Sequence, residues 1–227
     1  MEAMLLPRFF FSLDFAPFRP YLLSLPLRAK RFRRGDYLWK PSEPFGSVYY
    51  IESGLVRSAI EDKLGRRTTA WHGPGTMFPV AHSTRFELES SITTEAITDV
   101  AALEFPNAAI LSAIRENPDF AMATIDWYAK FVNLLLFAAS RLVYANALTA
   151  LATVLLLLFE NEPEARLGAS GTLRVTQNEL AELLGIDRAS LVRAATHLRQ
   201  AGAVETGRGV IRLLSLERLR KIALEAQ

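Results

Sequence analysis

Residues 177 to 198 read Gln177-Asn-Glu-Leu-Ala-Glu-Leu-Leu-Gly-Ile-Asp-Arg-Ala-Ser-Leu-Val-Arg-Ala-Ala-Thr-His-Leu198, two helical patterns separated by a turn. Leu180, Leu184, Ile186, Leu191 and Leu198 fall at the spacing of a shared apolar core, Ala181 is small where two helices must cross closely, and Gly185 gives the turn its free backbone. Asp187 offers an N-cap to the second helix. This is the helix-turn-helix arrangement, whose second helix enters the major groove of double-stranded DNA and presents its first turns to base edges. An αα-hairpin that only packs would share the same core positions. Just beyond it, Ala203-Val-Glu-Thr206 and Val210-Ile-Arg-Leu-Leu214 flank Gly207-Arg208-Gly209, which predicts a two-stranded wing with an arginine at its tip.

The charge lies at the same end. From Thr172 to Gln227 there are nine Lys/Arg and six Asp/Glu, whereas the preceding 171 residues hold 17 and 18, so a total of only +2 conceals a basic C-terminal part. Upstream, Glu160 to Gly171 contains Pro163, Gly168 and Gly171 and reads as a linker. Before it, Leu142 to Phe159 is eighteen uncharged residues, the length at which a membrane span becomes a candidate. Asn146 interrupts that run as a good N-cap, and Glu160, Glu162 and Glu164 follow it where a span would want basic residues. Two abutting buried helices, 120–145 and 147–160, explain the stretch better, and no membrane partner is expected.

The first of these helices is unusually apolar. Its stripe Phe120, Thr124, Trp127, Phe131, Leu134, Ala138, Leu142 has 3- and 4-residue steps, and only Asp119, Asp126, Lys130 and Arg141 are charged between 119 and 146. Such a helix needs two covers, a sheet on one side and a second copy of the chain on the other. Phe120, Trp127, Phe131, Leu134, Leu135, Ala138 and Leu142 are the candidate dimer interface; a helix wholly inside one core is the alternative.

Between Arg33 and Phe105 the glycines fall at 35, 46, 54, 65 and 75, the 8- to 11-residue interval of short antiparallel strands in a sandwich or roll. Ser47–Ile51, Leu55–Ile60, Arg66–Trp71, 91–97 and 99–105 are the predicted strands, and Glu61-Asp-Lys-Leu-Gly65 is a polar hairpin turn. The run Arg28-Ala-Lys-Arg-Phe-Arg-Arg34 has five basic residues in seven and reads as a solvated edge that blocks strand pairing. The fold class is therefore α+β: an N-terminal antiparallel β-roll with its leading segment (1–118), a long dimerisation helix (119–146) and a C-terminal winged helix-turn-helix (147–227).

Composition removes several functions. With no cysteine there are no disulfides, thiolate zinc sites, cysteine nucleophiles or Cys-ligated iron–sulfur clusters, which suits a reducing cytoplasm. Met1 to Phe11 has no basic n-region, and Pro7 breaks its apolar run, so no signal peptide is read. No Ser/His/Asp spacing, phosphate loop or acid pair stands out, so no enzyme is expected. A cupin-like metalloenzyme on the roll would need several histidines and carboxylates on one metal, and the chain has three histidines, one of them His197.

The order of parts resembles the bacterial Crp/Fnr superfamily of transcription regulators, over about residues 30 to 220. The carriers are Arg34-Gly-Asp-Tyr-Leu-Trp-Lys-Pro-Ser-Glu-Pro-Phe-Gly-Ser-Val-Tyr-Tyr-Ile-Glu-Ser-Gly-Leu-Val56, then Glu116-Asn-Pro-Asp119, then Val175 to Arg193. The resemblance implies a roll that senses an effector, a long helix that dimerises, a winged helix that binds a palindromic operator, and RNA polymerase as a partner. It also implies base reading by an Arg, the Glu after it, and an Arg five beyond the first. Arg188 and Arg193 match, but Ala189 stands where the Glu would be. An arginine pairs bidentately with guanine, and a Glu would read cytosine, so one base preference of the family is lost. Ser190 is placed for a phosphate or base edge, and Thr176, Gln177 and Asn178 sit where the first helix meets phosphates; Arg208 would reach DNA from the wing.

The same resemblance argues against a cyclic nucleotide as effector. Cyclic-nucleotide binders of the family carry Gly-Glu and later Arg-Ser around the phosphate, and this chain has Pro79-Val80 and Ser90-Ser91 there, with Leu135 and Leu136 where polar residues meet the base. Without its arginine a phosphate loses its main charge-assisted partner, and Pro79 deletes a backbone donor. No cofactor is predicted. Haem stays open because His72 and His82 lie near the roll's active edge, although a hydrogen-bonded loop histidine is the commoner case. An apolar or aromatic effector could rest on Trp71, Met77, Phe78, Trp127 and Tyr128, side chains that core packing explains equally well.

Overall fold

The computed structural model describes residues 7–40, 46–62, 65–79, 81, 92–139, 146–161, 167–168 and 171–224. Its backbone packing divides into two units, Phe10–Phe131 and the remainder, Met1–Phe9 with Val132–Gln227.

In the first unit the strands are β1 (Phe10–Phe11), β2 (Arg28–Phe32), β3 (Tyr37–Trp39), β4 (Ser47–Ser53), β5 (Val56–Asp62), β6 (Gly65–His72), β7 (Met77–Phe78), β8 (Ile92–Ala96) and β9 (Val100–Pro106); a short helix α1 (Arg19–Leu22) follows β1. They form a five-stranded sheet ordered β1-β6-β5-β8-β3 and a four-stranded sheet ordered β2-β9-β4-β7. Alternation along the strands sends Leu38, Tyr49, Ile51, Val56, Ala96, Val100 and Ala102 inward, where they meet in one cluster with Phe32 at its edge. The predicted roll is present, each strand within two residues of its expected place. The basic segment is the edge strand β2, exposed at Arg28, Lys30 and Arg31.

Among the strands without a sequence forecast, β3 and β7 add short pieces to the two sheets and β1 joins the roll to the start of the described chain. β1 runs parallel to β6, pairing Phe10 with Trp71 and Phe11 with His72. The approach is close enough that a Cβ on Gly73 would lie 2.4 Å from the Phe10 ring, so only glycine fits there. The leading segment thus completes the sheet rather than trailing from it.

Helix α2 (Asn107–Glu116) leads to α3 (Pro118–Phe137), which starts where Asn117 Oδ1 accepts the Phe120 N–H at 3.0 Å and Pro118 occupies the first turn. The expected helix to 145 is described only as far as residue 139. By length and composition α3 is the one described helix that could cross a membrane. Its buried face, however, is built into the roll unit: Phe120 is fully covered and ringed by Phe15, Phe18 and Tyr21.

The second unit holds α4 (Ala147–Asn161), β10 (Leu167–Gly168), β11 (Thr172–Leu173), α5 (Gln177–Leu184), α6 (Arg188–Gln200), β12 (Val204–Gly207), β13 (Val210–Leu213) and α7 (Leu216–Leu224). Asn146 caps α4 as expected, its Oδ1 accepting the Thr149 N–H at 2.9 Å. The apolar run that suggested a membrane span is the core of this unit: Leu151, Val154, Leu155 and Leu158 are fully buried, and α4 packs on α6 and α7. The wing is larger than its two predicted strands, since β10 and β11 extend it to four in the order β10-β11-β13-β12.

Candidate nucleic-acid interface and effector face

The helix-turn-helix is assembled by three local devices. Thr176 and Glu179 form a capping box on α5, with Thr176 Oγ1 accepting the Glu179 N–H at 3.2 Å and the Glu179 carboxylate accepting the Thr176 N–H at 2.8 Å. Gly185 ends α5 in the left-handed region at φ 66°, a conformation that a side chain resists. Asp187 then caps α6, accepting the Ser190 N–H at 2.8 Å. Of the five expected core positions Leu180, Leu184, Leu191 and Leu198 are buried, and Ile186 is half-buried.

What remains outside is a polar face. Arg188, Ala189, Val192, Arg193 and His197 are exposed on α6, and Gln177 and Asn178 are exposed at the start of α5. Arg193 donates to Ser190 Oγ at 2.9 Å, and Ser190 Oγ donates to Asp187 at 2.6 Å, so the second arginine is held toward the helix start. The Asp187 carboxyl is held below its usual range, chiefly by the Ser190 hydroxyl and N–H. The wing tip comes to the same place: a Cβ on Gly209 would lie 4.0 Å from the Thr176 methyl, next to the exposed Arg208. Of the seven predicted DNA contacts, Ser190 and Arg193 are engaged with one another, and Thr176 is engaged as well, its hydroxyl donating to Glu179 at 2.9 Å. A phosphate there would have to compete with that carboxylate.

The predicted effector residues are arranged differently. Trp71, His72, Met77, Phe78 and Trp127 are all at most 8% exposed, and they fill space rather than line it. His72 lies between Phe78 and Phe11, with ring centroids at 4.3 and 5.9 Å, and Phe11 continues to Trp127 at 5.3 Å and Trp127 to Phe131 at 5.2 Å. Trp127 Nε1 donates to Thr76 Oγ1 at 3.2 Å. The cavity beside Met77 holds about 10 Å³, room for one water at most. Only Tyr128 is partly open, its hydroxyl reaching the Ala81 carbonyl at 3.4 Å.

This packing answers the haem expectation at His72. Its Nε2 is hydrogen-bonded to Ser58 Oγ at 3.1 Å, its ring packs against those of Phe11, Phe78 and Trp127, and burial pushes its pKa down to about 3. The imidazole is a buried core group, and no described cavity beside it would take a macrocycle, so His72 itself does not fit as a haem ligand. His82, Val80, Ser90 and Ser91 lie outside the described residues, as does Leu142. Among the described residues no group of three or more His, Cys, Asp or Glu could hold a metal ion.

The dimer stripe is also redrawn. Phe120, Trp127 and Leu134 are at most 2% exposed within one chain, so they face its own core. The open apolar stripe is offset around the same helix: Met122, Ile125, Val132, Leu135 and Leu136 are 43–64% exposed, with Phe131 and Ala138 at its margin. Periodicity alone could not say which of two apolar faces the sheet would take.

Two family models match the chain. Residues 29–117 match the cyclic nucleotide-binding domain, and residues 149–222 match the Crp-like helix-turn-helix domain. No curated protein matches. Among solved structures, a CooA mutant from Carboxydothermus hydrogenoformans is 20% identical with a TM-score of 0.74, covering 87% of this chain and 88% of that one. FixK2 from Bradyrhizobium japonicum is 22% identical with a TM-score of 0.73, over 89% and 100%. The c-di-GMP-responsive global regulator CLP from Xanthomonas campestris is 21% identical with a TM-score of 0.72, over 88% and 99%. At these identities the likeness is one of fold.

Proposed function

The chain belongs to the Crp/Fnr family of transcription regulators, and from that premise we propose that it acts in the cytoplasm as a homodimer that reads a palindromic operator and has no enzymatic activity. The observation that carries the reading is the α6 face, where Arg188 and Arg193 stand exposed five residues apart, with Arg208 exposed at the wing tip. Each arginine suits a guanine edge, and the exposed Gln177 and Asn178 suit backbone phosphates. The exposed stripe Met122 to Leu136 on α3 is the surface for the second copy, since so much apolar area on one helix calls for a cover. A homodimer that reads a palindrome would present its two recognition helices about 34–36 Å apart, one turn of duplex. RNA polymerase is a partner by family likeness.

The effector is not cyclic AMP or cyclic GMP. The resemblance sets Leu135 and Leu136 where cyclic-nucleotide binders of the family carry polar residues, and in the roll Phe11, His72 and Trp127 pack on one another. Selection of bound DNA from a random pool tests the function directly. An inverted repeat with half-sites about ten base pairs apart is the expected product, from a species of twice the chain mass in sedimentation. Selection of no common sequence would end the proposal.

A further inference from the structure

We propose that Ala189 and Val192 form a thymine-methyl-reading patch on α6, so that each half-site carries a thymine beside the guanines faced by Arg188 and Arg193. The inference rests on the DNA-binding reading above and gives it a sequence.

The geometry begins with what α6 buries. Leu191, Ala194, Ala195 and Leu198 form the covered stripe. At 3.6 residues per turn the opposite face is 189, 192, 193 and 196, four neighbouring positions. Ala189, Val192 and Arg193 are exposed there, with Thr196 half-buried. Val192 is 39% exposed and is the one exposed large hydrophobic on α6. Core packing does not use it. A β-branched side chain is also a poor helix former when only water meets it, so helix stability gives no reason for it.

Chemistry then selects the base. In the major groove cytosine shows an amino donor, guanine two acceptors, and adenine one of each; thymine alone adds a methyl group to a single acceptor. Pressing an apolar pair onto a donor or acceptor strips its water without return, which disfavours every base but thymine. Alanine at 189, where the family pattern would place a glutamate, removes the only acceptor that could have favoured cytosine at that spot. The hydrogen bond from Arg193 to Ser190, 2.9 Å long, draws the guanidinium toward the helix start and leaves Val192 uncovered on its other side. The patch is therefore apolar at its centre and cationic at its rim, which fits a methyl group set among guanines and phosphates.

The test uses the full-length protein and the operator obtained from a random pool. Each thymine is replaced in turn by uracil, which keeps pairing and removes only the methyl. At one or two positions per half-site, affinity should fall about fourfold, the worth of one buried methyl. Val192→Ala should bind thymine and uracil operators equally while melting like the wild type. If uracil is tolerated everywhere while Arg188→Ala and Arg193→Ala still weaken binding, the methyl patch is wrong and the regulator reading stands. If the arginine variants also bind unchanged, both fail.

Discussion

The α6 face and the ring stack of the roll are both clusters of functional-looking residues, and they were built by opposite rules. On α6 the apolar positions Leu191, Ala194, Ala195 and Leu198 turn inward, while Arg188, Ala189, Val192 and Arg193 stand exposed, as does Arg208 at the wing tip. In the roll, Phe11, His72, Phe78 and Trp127 spend their surface on one another. A residue that reads a partner keeps its contacts in reserve, whereas a residue that holds a fold has none left. Substitution should separate the two regions cleanly, one losing binding without stability and the other losing stability.

The largest effect is expected at Trp127. Truncation to alanine opens a large void and strands the Thr76 hydroxyl that accepts from the indole, and should cost about 3–5 kcal/mol. Denaturant unfolding measures it, and the two tryptophans that remain in the variant, at 39 and 71, lie in the Phe10–Phe131 unit and report on it. On the other side, Arg188→Ala and Arg193→Ala should each lower operator affinity by about 1–3 kcal/mol per half-site. Their unfolding should move by no more than about 0.5 kcal/mol. An arginine variant that unfolds early, or a Trp127 variant as stable as wild type, would erase the contrast.

Why the sequence shows one region better than the other follows from the range of the forces. The helix-turn-helix depends on caps and spacings within about twenty residues, so Gly185 and Asp187 were legible in sequence, as was Asn146, whereas the capping box of Thr176 and Glu179 was read only as a phosphate contact. The ring stack joins Phe11 to His72 and Trp127 across more than a hundred positions, through a two-residue strand too short for any periodic signal. An aromatic residue that lines a pocket and one that fills it look alike in sequence, which is why Trp71, Met77 and Phe78 read as an effector site. The same ambiguity put Phe120, Trp127 and Leu134 on the dimer face. Ala189 and Val192 were legible only as an absent glutamate and a helix residue until their exposure was known.

A smaller effect separates the regions by pH. The folded His72 pKa lies near 3 and its unfolded value near 6.5, so the unfolded chain takes up the proton first. Stability in this respect is complete above about pH 6.5 and is lost as pH falls toward 3. At about 1.4 kcal/mol per pH unit, going from pH 7 to 5 should cost the roll unit roughly 2 kcal/mol. Glu95 does not confuse that window: burial pushes its carboxyl up, but the hydrogen bonds and charges of Arg57 and Arg66 outweigh it and hold it below the usual carboxylate range. His72→Gln should flatten the tryptophan-detected pH slope. An unchanged slope would move its cause away from the histidine.

The smallest expected effect lies at Asp187, the residue that belongs to both rules at once. Its carboxylate caps α6 through the Ser190 N–H and also accepts from the Ser190 hydroxyl that orders Arg193. It is held ionised by those hydrogen bonds, so it places a negative charge at the helix end that would approach phosphates. Asp187→Asn keeps an acceptor for the cap and removes the charge. Unfolding should therefore be unchanged, while affinity for any duplex rises modestly at low salt and the gain fades as the ionic strength screens it. A variant that instead loses stability would show the charge serving the helix dipole more than the hydrogen bond, and would place Asp187 with the packed residues of the roll rather than with the reserved ones of the reading face.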